Sequence, residues 1–307
     1  MSYVVSTSPH LHRATNSANI MRDVCIALLP ALIASIIVFG AESMLITVVC
    51  VVTAVLCEAL YERICKLPDT TSDFSAIITG MLVAFNVPVT LPLWQAALGS
   101  AVAIILVKQL FGGLGRNFAN PAIVGRIFLF LSFTKNMTNW TFPDAISTAT
   151  PLALMRTGDM ASLPSMLDMF LGNRAGCLGE ASVAALLAGG IYLIVRKVIT
   201  WHTPVAFIGT VFVLSWVMGG NISYAIYQIM AGGLMLGAIF MATDYVTTPQ
   251  TSSGRLVFGF GCGLLTVMIR QWGSYAEGVS FAILFMNILT PYINKWTRHK
   301  PFGGVKA

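Results

Sequence analysis

The stretch PDAISTATPL at residues 143–152 gathers a carboxylate at Asp144 and hydroxyls at Ser147, Thr148 and Thr150 between two apolar blocks. Thr150 precedes Pro151, which biases its backbone to extended angles. Pro151 suits the first position of a helix, and LALM continues one. Thr150 is therefore placed as an N-cap. Its hydroxyl would lie where unpaired N–H groups and the helix dipole gather, a favourable place for a phosphate. Spacing alone supports a capping threonine. An attachment point for a group is the alternative.

A second polar set is GGLGRNFANPAIVGR at 112–126. Its glycines allow close backbone approach, Asn117 and Asn120 offer amides, and Arg116 and Arg126 offer charge. It lacks the Lys-Ser/Thr of a P-loop, so an inside loop with basic anchors is the plain reading. Six acids, Asp23, Glu58, Asp73, Glu180, Asp244 and Glu277, lie in or beside apolar runs. A charge inside a bilayer is costly and marks a functional site by default. All six fall near the ends of the runs, where interfacial placement also accounts for them. The six cysteines contain no C-x-x-C pair, so no zinc or iron–sulfur centre is expected from this chain alone. The four histidines are terminal or near loops, which argues against haem ligation.

These groups must be positioned by membrane-crossing helices. Of 307 residues, 56% are hydrophobic and 10% charged, against about 25% charged in a soluble domain. The mean hydropathy is +0.80. Ten spans are expected, near 23–40, 43–60, 74–88, 93–111, 121–134, 181–195, 203–219, 222–243, 256–272 and 278–293. The third, fifth and sixth are short of the ~17–25 residues a crossing needs. The first 22 residues are polar and carry no apolar run of a secretory leader. With the N-terminus inside, inner segments hold 14 of the 18 Lys and Arg and outer segments hold 4. That bias places both termini in the cytoplasm and the long 135–180 loop outside. The +6 charge is thus a topology signal and implies no nucleic acid.

VKQLFGGLG at 107–115 and MIRQWGSYA at 268–276 both follow a basic residue with Gln, an aromatic and Gly. They end spans four and nine. An offset of five spans makes the two copies cross in opposite senses, the plan of an inverted repeat. Such folds bind ligands where helices are short or broken by Gly and Pro. Pro88, Pro92 and Pro121 and the segment YVTTPQTSSG at 245–254 mark such places.

Asp144-x-x-Ser147-Thr148-Ala149-Thr150 resembles the flavin-attachment motif D-x-x-[ST]-G-A-T. That motif belongs to the family of the Rnf complex D subunit and the B subunit of the sodium-translocating NADH:quinone oxidoreductase. The resemblance extends to SPHLHRATNSANIMRDVCIALLPA (8–31), GGLGRNFANPAIVGR (112–126), GCLGEAS (176–182), ATDYVTTP (242–249) and YAEGVSFAILFMN (275–287). Order and spacing are closer to the Rnf protein than to its longer relative. One departure is Thr148 where the family has Gly, which bears on loop geometry and on recognition by a flavin transferase.

The resemblance implies an all-α membrane protein of about ten helices in two inverted five-helix repeats. The repeats would cover about 23–134 and 181–293, in one membrane domain over 1–307. It implies FMN joined to Thr150 by a phosphoester, and a noncovalent riboflavin with Asn117, Asn120 and Pro121 as candidate contacts. Glu180 and Asp244, both in family-like stretches, become candidates for an ion or electron path. The implied function is electron transfer between ferredoxin and NAD⁺ coupled to Na⁺ or H⁺ movement. The flavoprotein and iron–sulfur subunits of the complex, a flavin transferase and the lipid bilayer would be its partners. A solute channel or secondary transporter also fits an inverted repeat with broken helices, and a structural anchor for redox proteins is a third reading. The Asp144–Thr150 loop separates these, because a pore needs no such motif.

Overall fold

A bilayer leaves backbone N–H and C=O groups no partners but each other, so apolar runs of this length fold as helices. The structure, a computed structural model, describes residues 16–140, 150–160, 162–172, 174, 176–273, 275 and 277–298. In chain order the helices begin with α1 (Ser17–Phe39), α2 (Ala41–Ile64), α3 (Ser75–Phe85) and α4 (Leu93–Val102), the last prolonged by a π-helical turn, Ala103–Gln109. Next come α5 (Pro121–Ser132), α6 (Thr134–Met137), α7 (Pro151–Thr157), α8 (Met166–Leu171), α9 (Val183–Val195), α10 (His202–Gly219) and α11 (Ile222–Met230). The last are α12 (Leu234–Leu236, prolonged by a π turn, Gly237–Met241), α13 (Ser252–Trp272) and α14 (Val279–Thr297). No strand occurs among the described residues. The chain is an all-α polytopic membrane protein, and each of the ten expected spans coincides with a helix or a broken helix pair.

Helices α1, α2, α10 and α13 are long and apolar enough to cross a membrane alone, and α11 with α12 forms a span bent by 69°. The three spans expected to be short are short: α3, α5 and α9 have 11, 12 and 13 residues. At 1.5 Å per residue they reach about 17–20 Å, against a hydrocarbon core of ~30 Å. Ten of the eleven α3 residues are buried. Protein therefore receives the C-terminal end of this helix, where the chain runs on through buried Asn86 and Val87, and irregular backbone at membrane depth is tolerated in such surroundings.

Neighbour relations recur between the halves. Helix α2 packs on α3 and α4, as α10 packs on α11 and α13; α4 packs on α5, as α13 packs on α14. Across the halves, α1 meets α9 and α5 meets α14. Those are the first and fifth spans of each half meeting their own counterparts, an arrangement that a two-fold relation between the halves would give. The third spans share a finer feature. The backbone passes through the left-handed region at Phe74 (φ 65°) before α3 and at Gly232 (φ 68°) before α12. Twelve residues after each stands a polar side chain, Asn86 and Asp244.

Candidate functional site

Two cavities open where these short and broken helices end. One, called outer after the side on which the basic-residue bias is expected to put Thr150 and set against a second called inner, has a volume of about 220 Å³ and is lined by Arg126, Phe130, Trp140, Thr150, Tyr275, Glu277 and Phe281 among others. Thr150 reaches it as the N-cap of α7, with φ −65° and ψ 153° and Pro151 at the first helical position. Its hydroxyl oxygen accepts the Ala153 N–H at 3.3 Å. The aromatic wall is ordered by one edge contact and one stacked contact. Phe130 meets Tyr275 at 4.8 Å and 83°, and Tyr275 lies nearly parallel to Phe281 at 6.0 Å. Asp144, Ser147, Thr148 and Ala149 fall outside the described residues.

The floor of this cavity is ionic. The break after α11 leaves carbonyls that no helical N–H can reach, and arginines take them. Arg270 donates to the carbonyls of Gln228 (2.6 Å) and Ala231 (3.1 Å), and Arg174 donates to those of Met230 and Glu180. Arg126 donates to Asn86 (3.0 Å) and Ser280 (2.9 Å) and pairs with Glu277. Glu277 also accepts the Gly233 N–H at 2.8 Å, so the second half of the broken span starts on a carboxylate. A Cβ at Gly233 would stand 2.7 Å from that carboxylate, which explains a glycine there. Buried Glu180 adds a second acid, and ligand atoms of Cys177, Glu180 and Glu277 lie within 4.8 Å of one another. With both acids ionised, three guanidiniums leave the group one net positive charge.

The inner cavity, about 100 Å³, brings together Ser75, Lys108, Asn117, Asn120, Pro121 and Asp244. Asn120 caps α5 by accepting the Ala122 N–H at 3.0 Å, and its amide donates to the Met241 carbonyl at 3.3 Å. The Asn117 amide donates to the Ala119 carbonyl. Asp244 accepts from the Thr247 hydroxyl at 3.2 Å, while the Thr248 hydroxyl donates to the Asp244 carbonyl. Lys108 is buried against Glu58 and Ser75, each at 2.5 Å. Glu58 is fully buried within the protein.

The sequence-derived candidates thus divide between the cavities: Thr150 and Glu180 line the outer one, and Asn117, Asn120, Pro121 and Asp244 the inner one. Sequence reasoning counted Lys108, Arg126, Arg174 and Arg270 as topology markers, yet all four are buried in polar networks. Removing them leaves twelve basic residues inside against two outside, so the bias survives. A basic residue within an apolar run, paired with an acid in another run, is the signal that would have revealed them.

Short spans, a broken span and two cavities with polar ends define a polytopic helical membrane protein. The chain belongs to the NQR2, RnfD, RnfE family, whose pattern it matches over residues 4–303. It is 43% identical to the D subunit of the Na⁺-translocating ferredoxin:NAD⁺ oxidoreductase complex of Acetobacterium woodii, over 100% of this chain and 97% of the relative. It is 39% identical to the D subunit of the proton-translocating ferredoxin:NAD⁺ oxidoreductase complex of Clostridium ljungdahlii, over 98% and 96%. The D subunit of the ion-translocating oxidoreductase complex of Cronobacter sakazakii is 35% identical, over 99% of each chain.

Proposed function

We propose that the chain is the D subunit of an Rnf-type complex that passes electrons between ferredoxin and NAD⁺ and couples them to Na⁺ or H⁺ movement. In this reading it carries electrons through FMN held by a phosphoester at Thr150. The observation that supports it is the position of Thr150 on the wall of an aromatic-lined cavity closed by Arg126. The residues present suit a flavin: a planar apolar ring system fits among Phe130, Trp140, Tyr275 and Phe281. The buried guanidinium of Arg126 favours electron-rich groups. When bound, the flavin supplies the redox chemistry. The chain supplies the rest. Thr150 anchors, the aromatic side chains exclude water, and the Arg126–Glu277 pair sets the field at the cavity floor.

The inner cavity would hold a noncovalent riboflavin through Asn117, Asn120 and Pro121, with Lys108 and Asp244 on its walls. Its place as the counterpart of the outer cavity across the repeat supports this assignment. Electrons would arrive and leave through flavoprotein and iron–sulfur subunits, and a flavin transferase would attach the FMN. The basic-residue bias supports insertion in the cytoplasmic membrane with both termini inside and the 135–180 loop outside. The relatives are named for different ions, so the choice of Na⁺ or H⁺ falls to transport measurements on the assembled complex.

The test is a denaturing gel of the purified chain. Fluorescence of a covalent flavin is expected in the wild type and not in Thr150→Ala. A dark wild-type band from an active complex would overturn the reading.

A further inference from the structure

Asn287 is 2% exposed on α14, and neither its amide nitrogen nor its carbonyl oxygen has a hydrogen-bond partner. Burying a primary amide strips water from donors and acceptor alike, and native structures rarely leave such a group unmet. Its neighbours along the helix are polar and engaged. Ser280, Asn287, Thr290 and Asn294 recur at helical spacing on one side of α14. Ser280 lines the outer cavity and accepts from Arg126. The Thr290 hydroxyl donates to the Thr247 carbonyl at 2.8 Å, and Asn294 accepts the Gln250 N–H at 3.0 Å. Thr247 and Gln250 belong to the loop that follows Asp244 out of the inner cavity.

The stripe therefore runs from the outer cavity at Ser280 to the loop that leaves the inner cavity, which it meets at Thr290, about 15 Å along the helix. Asn287 is the member without a partner, and it stands between them. A Cβ on Gly237 would touch Val279 and Ile283, so the π turn Gly237–Met241 runs beside α14, and Asn287 follows Ile283 by one turn. Such turns displace hydrogen bonds and recur at functional positions.

We propose that Asn287 binds one water-sized polar ligand, a water molecule or a partly dehydrated hard monovalent cation, as a station between the two cavities. Amide and hydroxyl oxygens are the ligands both would accept. The transport role rests on the proposed ion-translocating function; occupancy of the site does not.

Hydroxyl-radical labelling of the assembled complex tests it. A radical formed from water at Asn287 would, with dissolved dioxygen, oxidise the thioether of Met286, the adjacent residue in the chain and itself buried, to the sulfoxide. Labelling of Met286 is expected in the wild type and its loss in Asn287→Leu, with buried Met169 unchanged as the control. If the ligand is water, replacing choline by Na⁺ leaves the labelling unaltered. If it is the cation, labelling falls as Na⁺ rises. In membrane vesicles Asn287→Leu is expected to keep ferredoxin-dependent NAD⁺ reduction and lose most ion movement per electron. Asn287→Val reads the same way should the Leu variant fail to assemble. Equal labelling in wild type and variant, or an unchanged ion-to-electron ratio in the variant, overturns the proposal. A wild-type complex without flavin or ion movement overturns the electron-transport reading instead, and the label at Met286 then decides the site alone.

Discussion

Arg126 on α5 and Glu277 before α14 form an ion pair that ties the first half of the chain to the second. The guanidinium side chain is 9% exposed and the carboxylate 18%. Removing one partner of a buried pair leaves the other charge unmet, at a cost of about 3–5 kcal/mol. Glu277→Gln is expected to lower the thermal midpoint of the detergent-solubilised protein markedly. Arg126→Gln combined with Glu277→Gln should lose less than the two single effects together, because it leaves no charge stranded. Additive losses would show that the pair is not coupled.

Thr150→Ala removes an N-cap worth about 1 kcal/mol, too little to prevent insertion. The variant should enter the membrane and lack covalent flavin, while Thr150→Ser should retain some of both cap and attachment. Mass spectrometry of the peptide spanning residues 144–156 should find the added FMN mass on Thr150. An unmodified peptide from active complex would remove the attachment altogether. The mass on Thr148 would move the acceptor by two residues and keep the chemistry.

Asn120 has two jobs at the inner cavity, capping α5 and holding the Met241 carbonyl. Asn120→Asp keeps the cap and loses the donor; Asn120→Ala loses both. Acid extraction of purified complex releases only noncovalent flavin, so its yield should fall in both variants and further in the second. The fluorescence bound to Thr150 should stay constant. Wild-type yields from Asn120→Ala would take Asn120 out of the flavin site.

How much of this was legible in the sequence depends on what kind of information each feature carries. The spans were, because apolar length is local: α3, α5 and α9 read short and are short. Thr150 as an N-cap was legible for the same reason, since Thr-Pro followed by LALM fixes both backbone angles and helix start. The expected repeat rested on Lys108-Gln109 and Arg270-Gln271, and a closer correspondence between the halves lay elsewhere. Phe74 and Gly232 share a left-handed backbone, and no sequence rule pairs phenylalanine with glycine. The ionic floor was illegible for another reason. Arg174 and Arg270 are buried because the break after α11 frees carbonyls for them, and that requirement exists only once the chain is folded.

Orientation has its own test. The basic-residue bias, twelve against two once buried residues are set aside, puts the 135–180 loop outside. A cysteine placed at exposed Asn139, in a cysteine-free background, should react with an impermeant thiol reagent in intact cells. One placed at Gly304 should react only after lysis. The reverse pattern would invert the chain and carry Thr150 to the cytoplasmic face.

Asp244 is the residue through which redox state and ion binding are expected to meet. An electron delivered to the inner cavity adds negative charge in a low dielectric. Two unit charges 4 Å apart interact by about 4 kcal/mol at an effective dielectric of ~20. A cation held nearby favours the added electron, and by reciprocity the electron favours the cation. Asp244 stands on the cavity wall, its carboxylate held by the Thr247 hydroxyl and the Val246 N–H. Those bonds also describe an acid that merely shapes the loop, so the two roles need separating. Asp244→Asn keeps the shape and an acceptor oxygen while removing the charge. If Asp244 couples, the variant retains FMN on Thr150 and still transfers electrons, but moves fewer ions per electron. If it only shapes the loop, ratio and rate stay as in the wild type. Buried Glu180, beside the Arg126–Glu277 pair, is then the next acid to replace.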